Sequence, residues 1–354
     1  MVNKVDILSL TLTELESVLI TELHEKKFRA AQIYDWLHVK KVASFSEMSN
    51  ISTDLVTKID SFFYIKRLNI VKKLESTIDN TIKYLYKLED GNIVESVVME
   101  YSFGLSICVS SQIGCKMGCD FCASAVAGFV RNMSASEILL QKYEAERDLG
   151  KHISRVVLMG IGEPLDNYDN VIHFIRIITS EKGENLGQRH ITLSTCGIVP
   201  RIYDLAEENL SINLAVSLHN PSDEGRSSIM PVNRKYNLKE LMKSCRSYID
   251  KTGRRITFEY AVIENVNSSN EDALRLSKLL KGMICHVNLI AVNSVKERGY
   301  TSSSKHVEYF RKELERLGIN ATVRRKLGAD IDAACGQLRR EFEKSRGERI
   351  ESSQ

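Results

Sequence analysis

The chain has 354 residues, with 49 Lys and Arg against 46 Asp and Glu, a balance of +3. That balance excludes a bulk polycation, although a local basic face stays compatible with it. No apolar run approaches the ~20 residues of a membrane span, and the first residues, MVNKVDILSLTLTELE, lack the apolar stretch of a secretion signal. A cytoplasmic protein is expected, in which eight cysteines serve as reduced thiols, metal ligands or reactive groups and not as structural disulfides.

Residues 1–65 read as a helical accessory module. Thr13 and Glu16 have capping-box spacing, and Leu15, Val18, Leu19 and Leu23 follow with helical periodicity. A second helix over 28–41 is expected to turn Phe28, Ile33, Trp36 and Leu37 inward, and a third covers about 52–64. Residues 66–101 change to alternation, and TIKYLYKLEDGNIVESVVMEY reads as a hairpin turning at Asp90-Gly91. From 102 to 327 strands alternate with helices. The strands are expected at 105–111, 153–160, 190–195, 211–218, 255–263 and 286–292, with intervening helices such as 134–149 and 237–252 and a last one at 304–317. Six such repeats imply an α/β fold with a parallel sheet: a partial (β/α)6 barrel, or a doubly wound open sheet as the alternative. Residues 328–354 form a tail containing GADIDAACGQL.

Cys115, Cys119 and Cys122 form a C-x3-C-x2-C run. Three thiolates at this spacing suit three irons of a [4Fe–4S] cluster and leave the fourth open, whereas electron carriers supply four cysteines. A zinc site completed from elsewhere is the competing reading. In a barrel, reactive residues gather where strands end. Gly162 and Glu163 follow the second strand, Ser194 ends the third, Ser217-Leu218-His219 the fourth and Asn293 the sixth. Such a rim forms a polar pocket suited to a zwitterion carrying a ribose. Glu163 suits an ammonium there, and Ser194, Ser217 and Asn293 suit hydroxyls and a carboxylate. Cys108 precedes the cysteine run on the first strand. Cys335 stands among small residues in the tail, where backbone can approach closely.

CVSSQIGCKMGCDFCASAVAGFVRN, MGIGEPLDN, HITLSTCGIVP, SLHNPSDEGRSSIMPVN, RRITFEYAVI, CHVNLIAVNSV and GADIDAACGQL together resemble the RlmN/Cfr family of radical S-adenosylmethionine (SAM) RNA methyltransferases. The likeness runs over nearly the whole chain and is nearest the adenine-C2 branch, which acts on 23S rRNA and tRNA. It implies that Cys115, Cys119 and Cys122 hold the cluster, and that Gly162, Glu163, Ser194, Ser217, Leu218, His219 and Asn293 bind SAM, two molecules per turnover. It further implies that Cys335 carries the methyl group as S-methylcysteine, that Cys108 resolves the adduct through a transient disulfide with Cys335, and that Glu95 accepts the proton. A one-electron donor such as flavodoxin and a monomeric state complete what it implies.

The sequence departs from the family at Ser124, where Thr is frequent, at Ala291 and Ser294, where prolines are common, and at Cys196, where serine or a small aliphatic residue is more usual. None of these removes a reacting group. Three rivals remain at this stage: the C8-methylating branch, which uses the same residues; a zinc-stabilised RNA-binding protein without catalysis; and a radical SAM enzyme acting on a small molecule or protein, which leaves Cys108 and Cys335 without a role. Arg254-Arg255, Arg324-Arg325-Lys326, Arg339-Arg340, Lys72-Lys73 and Lys40-Lys41 are the candidate phosphate contacts.

Overall fold

A computed structural model describes residues 4–126, 128–292, 300 and 302–331, without the side chains of 125 and 126. Asn293 and Cys335 therefore lie outside the described residues, as do Ser294 and Arg339-Arg340.

The first helices are α1 (Leu12–Thr21), α2 (Phe28–His38) and α3 (Thr53–Phe62). The capping box of α1 stands two residues before the expected one: Thr11 Oγ1 accepts from the Glu14 N–H at 3.3 Å, and Glu14 Oε2 accepts from the Thr11 N–H at 2.8 Å. This start still buries Leu15 and Leu19 completely, and it frees Glu16 to pair with Lys27. Phe28 is exposed, contrary to expectation, because it opens α2 beyond the packed face. Ala30, Ile33, Tyr34, Leu37 and His38 make that face instead.

Ten strands form one sheet: β1 (Asn69–Glu75), β2 (Ile82–Lys87), β3 (Ile93–Tyr101), β4 (Gly104–Cys108), β5 (Ile153–Leu158), β6 (Ile191–Thr195), β7 (Asn213–Ser217), β8 (Ile256–Val262), β9 (Cys285–Ala291) and β10 (Ala321–Val323). β1 to β4 pair antiparallel, and β4 to β10 pair parallel, each beside its predecessor. The helices between the parallel strands are α4 (Ala135–Leu149), α5 (Tyr168–Ile178), α6 (Val199–Glu207), α7 (Asp223–Ile229), α8 (Leu238–Thr252), α9 (Asn270–Leu280) and α10 (Ser304–Arg316). The strand order never reverses, so the doubly wound alternative is excluded.

The sheet curls. Arg324 is bonded through its N–H to the Leu289 carbonyl of β9, while its Nη1 reaches the Met159 sulfur just past β5, at 3.7 Å. A flat sheet would separate β9 from β5 by four strand spacings of about 4.8 Å each. An arginine side chain cannot span that, so the fold is a partial barrel with Arg324 crossing its hollow.

One hydrophobic core runs from Leu15 in α1 through the sheet to Phe310 in α10. Around it, polar contacts fix the first helices to α4 and its neighbours. His38 Nδ1 meets the Tyr143 hydroxyl at 3.2 Å, Lys41 pairs with Glu146 and with Glu184 (2.7 Å), and Lys142 reaches the same two carboxylates. These are buried charges that tolerate burial only because each has partners.

Candidate active site

The cysteine loop is fixed from both ends. A short antiparallel ribbon, Gln112–Gly114 with Phe129–Asn132, precedes and follows it, and the Cys115 N–H donates to the Gly128 carbonyl at 2.9 Å. Gly114 sits at φ +78°, where a Cβ would meet the Gly128 oxygen at 1.8 Å, so only glycine fits. Inside the loop the Cys122 N–H donates to the Cys119 carbonyl, and the Asp120 N–H donates to the Ile229 carbonyl. Met117, Phe121, Ile229, Met230, Val232 and Cys196 wall the site with apolar and thiol groups.

All three thiols are half-buried and none is in a disulfide. Burial pushes the Cys115 thiol up to about 12, helped by the neighbouring Cys122, and pushes Cys119 higher still. Cys115 and Cys119 therefore need bound cationic metal to stay deprotonated here. Cys115, Cys119 and Cys122 are the residues that would hold the cluster, one thiolate to each of three irons.

Next to the loop, the Glu163 carboxylate joins two strand ends. Its Oε1 accepts from the Leu165 N–H at 3.0 Å and its Oε2 from the Cys196 N–H at 2.7 Å. Burial raises its carboxyl, and the Cys196 N–H partly offsets this. Gly162 has φ +110°, and a Cβ there would fall 2.6 Å from Gln112 Cβ and 2.8 Å from its backbone nitrogen. The Gln112 side chain in turn accepts from the Glu163 N–H at 2.8 Å.

Register brings the remaining residues to one face. Cys108 ends β4, opposite Val97 on β3 and Val157 on β5, while Lys83 on β2 also faces Val97. Residues directly opposite share a face, as do residues two apart on one strand. Glu95, two beyond Val97, is thus on the Cys108 face. It is buried and paired with buried Lys83 at 3.4 Å. By the same rule Ser194, Ala215 and Ser217 share a face, and Ser217, Glu259 and Asn288 form a cross-strand row. Asn288 Nδ2 donates to both Glu259 oxygens, at 3.2 and 3.0 Å. Leu218 and His219 turn out of β7 with their N–H groups toward the Glu259 carbonyl. His219, at φ +56°, accepts the Ala261 N–H on Nδ1 at 2.9 Å, so its proton is on Nε2. Burial, then Arg226, pushes its pKa down to about 3 and keeps it neutral. The Phe121 ring of the cysteine loop meets it edge-on at 4.7 Å.

The chain is similar to proteins of known family. The model of the ribosomal RNA large subunit methyltransferase N-terminal domain matches residues 5–65, and that of the radical SAM superfamily matches residues 109–277. A protein of Alkaliphilus oremlandii named probable dual-specificity RNA methyltransferase RlmN is 55% identical over 339 residues, covering 96% of this chain and 98% of its own. One of Clostridium perfringens with the same name is 52% identical over 343 residues, covering 97% and 99%. This chain belongs to the RlmN family of radical SAM RNA methyltransferases. The crystal structure of a radical SAM methyltransferase from Sphaerobacter thermophilus, 39% identical, superposes with a TM-score of 0.88 and covers 94% of this chain and 98% of that one.

Within this RlmN-family fold, sequence reasoning missed several residues that build the site. Arg226 is fully buried. Its Nε donates to the Leu218 carbonyl (3.1 Å), Nη1 to Asn233 Oδ1 (2.9 Å) and Nη2 to the Cys196 and Ser217 carbonyls (2.6 and 3.1 Å). It ties the ends of β6 and β7 together beside the cysteine loop. Its presence within SLHNPSDEGRSSIMPVN was the available signal. Gln112 and Glu259 were missed too, and a glutamate in the apolar strand ITFEYAV was the mark of the second. The candidate phosphate contacts differ in their surroundings. Lys41 is bound to Glu146 and Glu184, Lys73 to Glu75 and Asp148, Arg254 to Asn213, and Arg324 crosses the barrel. Lys72, Arg325 and Lys326 are exposed. Among the described residues, no helix is long and apolar enough to cross a membrane.

Proposed function

We propose that this chain methylates C2 of an adenosine in 23S rRNA and in tRNA, with Cys335 as the methyl carrier. The observation that carries the reading is the shared inward face of Cys108 and Glu95, beside a rim that fits the cluster and SAM. Cys115, Cys119 and Cys122 are read as holding a [4Fe–4S] cluster with one open iron. When bound, that cluster supplies the electron that cleaves SAM. Gly162, Glu163, Ser194, Ser217, Leu218, His219 and Asn293 are read as the SAM pocket. Glu163 accepts two backbone N–H groups and lies within hydrogen-bond reach of the Thr195 and Cys196 side chains, and its carboxylate is read as the acceptor for the SAM ammonium.

The protein's own groups have distinct tasks. The Cys335 thiolate, a soft nucleophile, takes a methyl group and becomes a thioether. Adenine C2 is flanked by two ring nitrogens and is too electron-poor for ordinary methylation, so the carbon is delivered while still attached to Cys335 sulfur. Bond formation to C2 costs the S-methyl group one hydrogen atom and the adduct one electron, which cleaved SAM and the bound cluster would accept, and Glu95 takes the C2 proton. The Cys108 thiolate attacks the Cys335 sulfur. A sulfur–sulfur bond forms, the sulfur–carbon bond breaks, and the departing carbon takes a proton to become the methyl group. Residues 1–65 are read as an RNA-contacting accessory domain, 66–101 as a β extension, 102–327 as the barrel and 328–354 as the carrier tail. A monomer in the cytoplasm, reduced by a donor such as flavodoxin, completes the proposal. Replacing Cys108 by Ala removes the resolving thiol, so a covalent protein–RNA species is expected on a denaturing gel. Free RNA alone would overturn the resolving role.

A further inference from the structure

We propose that Asp79 and Asp330 form a two-point latch that holds the root of the C-terminal tail on the turn between β1 and β2, and thereby sets the reach of Cys335 toward Cys108. This rests on the reading of Cys335 and Cys108 as a reacting pair. The contacts are reciprocal. Asp330 Oδ1 accepts from the Ser76 hydroxyl at 2.6 Å, and its Oδ2 accepts from the Thr77 N–H at 2.8 Å and the Thr77 hydroxyl at 3.1 Å. From the turn side, Asp79 Oδ2 accepts from the Gly328 N–H at 2.8 Å, while its Oδ1 accepts from the Thr81 N–H at 3.2 Å. Five donors thus converge on two carboxylates, and bonds to an ionised acceptor are the stronger kind. The tail leaves β10 at one edge of the sheet and is tied down at the opposite edge, after Arg324 has crossed the hollow near Met159.

The register gives the distance this latch controls. The turn leads into Ile82, which faces Val98, next to the Val97–Cys108 pair. Ser76 and Thr77, which hold Asp330, follow Glu75 of β1, and Glu75 faces Ile82, so the root is held three strand spacings from the strand of Cys108, about 14 Å. Five residues separate Asp330 from Cys335, and they span at most ~18 Å. With the root latched, Cys335 reaches Cys108 with little excess length. With the latch open, the nearest fixed point is Arg324, bonded to Leu289, and the tether lengthens from five residues to eleven. The effective concentration of an end group falls as about the −3/2 power of tether length, here roughly threefold. Asp79 and Asp330 are positioning residues: they touch neither RNA nor SAM in this scheme.

The test uses the full-length chain with its cluster reconstituted without SAM, so that Cys335 remains a thiol. The protein is equilibrated anaerobically in glutathione buffers of graded ratio, quenched and mapped by mass spectrometry. In this exchange Cys108 and Cys335 give two hydrogens to oxidised glutathione, which leaves as two reduced molecules, so the midpoint ratio reports the effective concentration of one thiol at the other. The Asp79→Ala/Asp330→Ala double variant is expected to lower it about threefold or more, and Ser76→Ala, which attacks the same bond from the other side, to move it the same way. A rescue arm uses Asp330→Asn, which keeps an oxygen for Ser76 and is expected to recover part of the loss. Wild-type values in the double variant and in Ser76→Ala would overturn the latch while leaving the two-thiol reading intact. No disulfide between Cys108 and Cys335 in the wild-type chain would overturn that reading, and the latch with it.

Discussion

Glu95 and Cys108 stand on one face of neighbouring antiparallel strands, because Cys108 is paired with Val97 and Glu95 lies two residues farther along the same strand. The offset is set by backbone register, so it does not depend on rotamer. In the proposed mechanism this offset lets Glu95, as proton acceptor, and Cys108, as resolving thiol, serve one base.

Replacing Glu95 by Gln keeps the shape and removes the base. RNA methylation should fall by about 10²–10⁴-fold, while S-methylation of Cys335, which needs no such base, stays at the wild-type level. Intact-protein mass spectrometry and nucleoside analysis on the same samples separate the two steps. Equal loss of both would contradict the assignment.

Arg226 should not tolerate lysine. Its guanidinium serves three carbonyls and Asn233 at once, and a single ammonium cannot match that fan of donors. Arg226→Ala leaves several buried acceptors unpaired and is expected to cost about 3–5 kcal/mol in denaturant unfolding. Arg226→Lys should recover less than half of that.

Gly162→Ala places a methyl group against Gln112 in a backbone conformation that L-residues rarely adopt. The strain, about 1–3 kcal/mol, falls on the Gln112–Glu163 contact. SAM affinity, measured by equilibrium dialysis, should drop, while iron per chain stays unchanged because no cysteine moves. Unchanged SAM affinity would count against Glu163 as an ammonium acceptor.

His38 offers a pH test of how the first helices are held. Burial, then the Lys41 charge, pushes its pKa down to about 3, against about 6.5 in an unfolded chain. A depressed pKa means the unfolded state takes the proton first. The stability tied to neutral His38 is therefore complete above about pH 6.5 and is lost as pH falls toward 3, by up to about 1.4 kcal/mol per pH unit. The unfolding free energy of His38→Gln should lack that part of the slope. Identical slopes would show that another group carries the acid sensitivity.

The sequence made the candidate rim legible because chemistry constrains it locally: three cysteines at fixed spacing, Gly162-Glu163 after a strand, Ser217-Leu218-His219 after another. The alternation of strands and helices similarly announced the parallel sheet. What stayed hidden depended on distant partners. β1 lacks alternation because it is an edge strand, exposed along most of its length, so no buried face imposes period two. The first strand was read to 111, yet β4 ends at Cys108; past it the Ser110 N–H turns to the Gln141 side chain instead of the ladder. Arg226, Glu259 and the Asp330–Ser76 bond each join elements far apart in the chain, and a single polar letter carries no record of its partner.

The central claim is tested most directly by nucleoside mass spectrometry of a 23S rRNA fragment incubated with the reconstituted protein, SAM and a reductant. The account predicts 2-methyladenosine, absent when Cys335 is replaced by Ala. 8-Methyladenosine, unmodified RNA, or 2-methyladenosine formed without Cys335 would contradict it.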